Sequence, residues 1–180
     1  MRFAFVHPFT LSMCAIFASW ASGAWAQNAA EQGRSQVGVV TPLSFIQTEE
    51  LSFGQIIASN TAGTVTVAPN GSRTRTGNIT LLGASHQPAE FAGMGTFNQR
   101  VQVSLGSNSI FLTGPGVRMR ARTFVIGSTP TAVLTTTPTV FRIAGATGAF
   151  RFPVGATLEV GANQAPGIYR GTWTITLNYQ

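Results

Sequence analysis

Polar and apolar residues alternate most regularly over residues 167–180. Tyr169, Trp173, Ile175, Leu177 and Tyr179 share one parity, while Arg170, Thr172, Thr174, Thr176 and Asn178 take the other. A period of two, carried by aromatic and β-branched side chains, predicts a strand with one buried face. Such a strand needs a second layer to cover it, and the chain ends within it. Further short alternating stretches cover residues 39–46, 51–56, 63–68, 89–91, 101–105, 109–112, 117–126, 141–144 and 150–160. Pro42 lacks a backbone donor, so the first of these is expected at a sheet edge. Asn70-Gly71 predicts a tight hairpin between 63–68 and a partner within 73–82. Residues 101–105 and 109–112 suggest a second hairpin across 106–108, and Gly155 suggests a bulge in the strand at 150–160. No stretch shows the three-four spacing and caps of an amphipathic helix. Turn signals recur about every ten residues, so the expected fold is all-β: a single antiparallel immunoglobulin-like β-sandwich over residues 37–180.

The start of the chain departs from this pattern. Arg2, an apolar run from Leu11 to Trp20 and the small-x-small triplet Ala24-Trp25-Ala26 predict a secretory signal peptide over residues 1–26. Residues 27–36 are polar and are expected to form a flexible arm. No later stretch is long and apolar enough for a transmembrane segment after signal removal. The expected location is exported: periplasm, cell surface or extracellular. Cys14, the single cysteine, lies in the signal, so the exported chain has neither a disulfide nor a thiol ligand or nucleophile. Its core must rely on burial.

Charge adds a second theme. All eleven basic residues are arginines and all five acidic ones are glutamates, for a formal net charge of +6. An arginine excess outside the cell suits acidic polysaccharide or lipopolysaccharide better than nucleic acid. It also suits simple solvation of a threonine-rich surface. Arg118, Arg120 and Arg122 alternate with Met119, Ala121 and Thr123. On a strand they project from one face about 7 Å apart, either as a candidate anion patch or as a solvent face opposite Met119 and Ala121. Arg73 and Arg75, beside the Asn-Gly turn, could extend it.

Chemistry-bearing side chains are sparse. His86 is the one histidine beyond the signal and sits in a loop sequence, Gly83 to Pro88. A lone histidine beside Ser85 is no triad, and it cannot anchor zinc without further ligands. Glu50 and Glu90 could serve as a carboxylate pair for glycoside cleavage only if the fold converges them in one cleft. The expectation is a non-enzymatic protein with no catalytic residues, no metal and no cofactor.

Several segments together carry a family resemblance. They are Thr41-Pro42-Leu43-Ser44-Phe45, Leu51-Ser52-Phe53-Gly54, Gly63-Thr64-Val65-Thr66-Val67, Arg73-Thr74-Arg75-Thr76-Gly77, Pro88-Ala89-Glu90-Phe91, Val154-Gly155-Ala156-Thr157-Leu158 and Gly167-Ile168-Tyr169-Arg170-Gly171-Thr172. In order, they resemble the exported bacterial family known as domain of unknown function 4402, which is distantly similar to fimbrial, pilin-like subunits and to spore-coat-type secreted proteins. Tyr179 is penultimate and Gly167 is fourteenth from the end, as in the terminal strand of chaperone–usher pilins. That resemblance implies a structural or adhesive, fimbria-like subunit of the cell surface, with like subunits or an assembly chaperone as partners. In such pilins an incomplete sandwich is completed by a strand from the next subunit. It makes Tyr169, Trp173, Ile175, Leu177 and Tyr179 the candidate subunit-contact or core face. Val37, Val39, Leu43 and Phe45 become the candidate donor or first strand. Two features differ from pilins: the pilin disulfide is missing, and the arm before Val37 is polar. The alternative function is a periplasmic or surface binding module that holds anionic glycans with exposed arginines.

Overall fold

The computed structural model describes residues 34, 36–128 and 131–180. The expected signal peptide and all of the arm except Arg34 and Gln36 lie outside the described residues. Among the described residues there are thirteen strands and no helix. They are β1 (Ser44–Glu49), β2 (Gln55–Ile57), β3 (Gly63–Val67), β4 (Arg73–Thr76), β5 (Thr80–Leu82), β6 (Ala89–Met94), β7 (Arg100–Leu105), β8 (Ser109–Leu112), β9 (Met119–Ile126), β10 (Ala132–Val133), β11 (Thr139–Arg142), β12 (Ala149–Val160) and β13 (Ile175–Tyr179). Every pairing is antiparallel. The fold is all-β, in sheets that do not close into a barrel, as a β-sandwich requires.

The largest sheet runs β1-β6-β12-β3-β4, with β9 also paired to β12 and carrying β8 and β10. β12 is its hub. Residues 149–154 pair with β6, residues 156–160 with β3, and residues 154–159 with β9. Phe152, Val154, Ala156, Leu158 and Val160 are all buried, so one parity faces the core along most of this strand. β11-β7-β13 form a three-stranded sheet, and β2-β5 a two-stranded one. Val101, Val103, Leu105, Phe141 and Leu177 of the three-stranded sheet join the same buried cluster as Val65, Val67, Phe124 and Ile126 of the large one. Each such side chain contributes about 1.5–3 kcal/mol by leaving water.

Several expectations are corrected. The first strand starts at Ser44, not at residue 39; it does lie at an edge, paired only with β6. The turn at Asn70-Gly71 joins β3 to β4 as expected, with Gly71 at φ 82°. Residues 101–105 and 109–112 are not a hairpin. β7 pairs with β11 and β13, whereas β8 pairs with β9, so residues 106–108 connect two sheets. The bulge opposes Gly155 rather than lying in β12. Gly155 pairs with Val125 and Thr157 with Arg122, leaving an extra residue on β9. Thr123 takes φ 54° there. The parity of β9 therefore flips: Met119 and Ala121 are buried before it, Phe124 and Ile126 after it. Gly155 itself is needed because a Cβ would run into the Val67 carbonyl.

The terminal segment is two pieces. Arg170 bridges to Thr113 beside β8, and only then does the chain pass to β7 as β13. Gly171 allows the crossing, since a Cβ there would lie 2.7 Å from the Phe111 carbonyl oxygen. At the crossing Trp173 stacks on Phe124 (centroids 5.0 Å apart) and meets Phe91 edge-on (5.6 Å). Phe91 in turn stacks on Phe152 at 5.3 Å. Trp173→Ala removes the ring that joins the terminal segment to the large sheet. The expected loss is about 3 kcal/mol in a denaturant titration, the low end for such truncations because Trp173 is half-buried.

Candidate functional site

The first candidate is the open side of β13. Ile175 pairs with Leu105, Leu177 with Val103 and Tyr179 with Val101. The Gly106 amide donates to the Thr174 carbonyl, and the Gln180 amide to the Arg100 carbonyl. In an antiparallel ladder hydrogen-bonded pairs alternate with non-bonded ones. The backbone groups of Ile175, Leu177 and Tyr179 therefore point away from β7. No strand among the described residues pairs with that side. Leu177 is buried, whereas Trp173, Ile175 and Tyr179 are half-buried, and Thr172, Thr174, Thr176 and Asn178 face solvent. The alternation expected from the sequence is thus present from residue 172 onward. Tyr169 lies upstream of the strand but is also half-buried.

The chain's two tyrosines act through their hydroxyls. Tyr179 Oη donates to the Thr41 carbonyl (2.7 Å) and accepts from the Thr96 amide (2.8 Å). This pins the segment before β1 beside the end of β13. Tyr169 Oη donates to the Ala165 carbonyl (2.9 Å) and accepts from the Gly116 amide (3.0 Å) and Gln164 Nε2 (2.8 Å).

The expected donor residues are divided. Leu43 and Phe45 are half-buried against the domain's own core, and Phe45 pairs with Gly93 in β1–β6. Val37 and Val39 are 88% and 91% exposed and lie outside any strand.

The second candidate is the outer face of the large sheet. Arg120 and Arg122 project from β9, and Arg118 lies just before it; all three are exposed, opposite buried Met119 and Ala121. Cross-strand register sets Phe111, Arg120, Glu159, Thr64 and Thr76 in one row across five strands. Glu159 holds Arg120 through Nε (2.7 Å) and Nη2 (3.0 Å), and it also pairs with Arg122 Nε. Hydrogen bonds from Arg120 and then Arg122 hold the Glu159 carboxyl down at about 2, from an ordinary 4.5. The same carboxylate raises Arg120 above its ordinary value, first by hydrogen bonding and then by its charge. Arg118 has no carboxylate partner among the described residues, and its guanidinium lies 3.9 Å from the centre of the Phe111 ring. Arg73 and Arg75 do not extend this face. Arg73 instead donates to the carbonyls of Phe53, Gln55, Leu82 and Gly83, tying the β2–β5 pair to β4. Sequence reasoning missed both Glu159 and Phe111. Register brings them beside the arginines, Phe111 from the preceding strand β8 and Glu159 from β12, remote in the chain.

The Glu90 carboxylate pairs with Arg151 (3.1 Å), and neither of two surface depressions of about 610 and 350 Å³ is lined by Glu50, Glu90 or His86. Among the described residues the buried His86 Nδ1, beside Gly54, has no hydrogen-bond partner. Among the described residues no group of three or more His, Cys, Asp or Glu could hold a metal ion, and no helix is long and apolar enough to cross a membrane.

The sequence model of the family described as "Domain of unknown function (DUF4402)" matches residues 43–179. No curated protein and no solved structure matches the chain.

Two outcomes follow from the geometry. Tyr179→Phe leaves the Thr96 amide and the Thr41 carbonyl without their partner, and should cost about 1–3 kcal/mol by denaturant midpoint. Glu159→Gln should cost about 0.2–1 kcal/mol at neutral pH, the range for exposed ion pairs. Because the folded carboxyl titrates below its ordinary value, the pair's stabilisation is present above pH 4.5 and lost as pH falls towards 2. Melting curves of the parent protein and Glu159→Gln should therefore converge between pH 4.5 and 2.

Proposed function

The chain belongs to this domain-of-unknown-function family, and from that premise we propose that it is an exported, non-enzymatic structural or adhesive subunit. In this proposal it is built into a cell-surface, fimbria-like assembly. Its sandwich is immunoglobulin-like in connectivity and distantly related to pilins. The assembly contact is an extended segment of a neighbouring copy added to the open side of β13.

The observation that carries this proposal is the set of backbone groups on Ile175, Leu177 and Tyr179 that are unpaired among the described residues, beside the half-buried side chains of Ile175 and Tyr179. A sheet edge of this kind is a template for another strand. Each added ladder bond contributes about 0.5–1.5 kcal/mol net, and covering the half-buried side chains adds apolar burial. Val37 and Val39, exposed and on one parity, are suited to pack on such an edge in a neighbour. Leu43 and Phe45 stay with their own domain. The paucity of titrating groups, with the Glu90 carboxylate already paired to Arg151, supports the non-enzymatic part of the proposal.

Ile175→Pro tests the contact. Proline at the first position of β13 removes an amide that faces away from β7, so the intramolecular ladder keeps its bonds. Sedimentation of the parent protein should show concentration-dependent association. Ile175→Pro should weaken it about tenfold or more while the circular dichroism spectrum stays unchanged, since one lost bond and a distorted edge amount to 1.4 kcal/mol or more. A parent protein that stays monomeric at the highest soluble concentration would sink the assembly proposal.

A further inference from the structure

We infer that the outer face of the large sheet carries a binding site for the oxyanions of an acidic polysaccharide, centred on Arg118 and Arg120. It is distinct from the β13 edge and stands independently of the assembly proposal.

An open depression of about 610 Å³ lies between Phe111, Arg118, Arg120, Glu159 and Thr64, floored at one side by Gly63 and Gly161. Its two arginines are in different states. Arg120 is held in place because Glu159 occupies its Nε and Nη2, which leaves Nη1 unused among the described residues. Arg118 is held by the Phe111 ring instead of by a carboxylate. A guanidinium stacked on an aromatic face keeps its in-plane N–H groups free, and those groups match the geometry of a carboxylate or sulfate. Arg118, Arg120 and Arg122 outnumber the single carboxylate among them, so this cluster is cationic by two charges. Arg122, two residues along the same strand from Arg120 and on the same face, is held by the same Glu159.

The ligand class follows from the rest of the face. The arginines adjoin a flat surface rather than an enclosed pocket, which suits a polymer more than a small metabolite. The two cross-strand rows continue from the arginines into hydroxyls: Thr64 and Thr76 in one, Thr157, Thr66 and Thr74 in the other. Thr64 and Thr76 are joined Oγ1 to Oγ1 at 2.8 Å, and Thr66 and Thr157 at 2.9 Å. Thr64, Thr66 and Thr157 keep a further lone pair for a sugar hydroxyl, while Thr76 Oγ1 also accepts from the Thr64 amide (3.1 Å). The face thus offers fixed cations at one end and hydroxyls across the remaining strands, the complement of a chain of sugars bearing carboxylate or sulfate groups.

Affinity electrophoresis of the purified full-length chain tests the site. The gels would contain alginate (a polyuronate), heparin (a sulfated glycan) or neutral dextran. Retardation is expected with at least one anionic polymer and not with dextran. Which of the two retards the protein identifies the oxyanion as carboxylate or sulfate. Arg118→Ser should raise the apparent Kd about tenfold or more, as loss of a charge-assisted contact does. Phe111→Ala should weaken retention with the charge unchanged, because the guanidinium loses its support. Arg100→Ser removes the same charge from β7, in the three-stranded sheet, and should leave retention near the parent value. Equal losses for Arg118→Ser and Arg100→Ser would reduce the effect to net charge and overturn the site. So would an absence of retardation by both anionic polymers.

Discussion

The aromatic contact of Trp173 with Phe124 and Phe91 is what the remainder of the structure depends on. A chain with no cysteine beyond Cys14 has no covalent cross-link with which to join its layers. The layers are joined instead by burial, and the terminal segment supplies the wedge. It leaves the neighbourhood of β8 at Gly171, places Trp173 against the large sheet, and then completes the three-stranded sheet as β13. The two tyrosine hydroxyls fix the segment on either side of this crossing, one to the loops around Gly116, the other to the strand approach at Thr41.

The edge at β13 and the outer face of the large sheet are under different constraints as a result. β13 must keep its inward parity for the core, so the only backbone groups it can offer a partner are those of Ile175, Leu177 and Tyr179 along the sheet edge. The outer face of the large sheet carries no core duty. There the antiparallel register sorts side chains into rows, and Glu159 gathers two arginines that the sequence places on a different strand. The bulge at Thr123 links both roles. By flipping the parity of β9 it puts Phe124 under Trp173 while leaving Arg120 and Arg122 outside.

The strand content and the inward face of the tail were legible because alternation is a local property of the chain. Trp173, Ile175, Leu177 and Tyr179 could be assigned to one face without knowing what covers it. The turn at Asn70-Gly71 was legible for the same reason: the φ it requires is written in the residue types. Partner choice was not legible. The short link at residues 106–108 looks like a hairpin, yet β7 pairs with β11 and β13, far along the chain, while β8 pairs with the strand that follows it, β9. The arginine alternation was visible, but its anchoring depends on register: Phe111 comes from the adjacent strand β8, and Glu159 from β12, far along the chain, which no local pattern encodes. A phase change was present in β9, where apolar positions shift from 119 and 121 to 124 and 126; it marks the bulge, which lies in β9 and not at Gly155 as expected.

The place of β13 in the chain order has a consequence for how the protein comes into being. Synthesis proceeds from β1 onward, so β6, β7 and β9 all exist before the strand and the tryptophan that seal them together. Until then the rings of Phe91 and Phe124 lack their cover, and the nascent polypeptide holds an unsealed interior throughout most of its elongation. Such a chain stays loose through that interval, and its two sheets lock together once β13 has emerged.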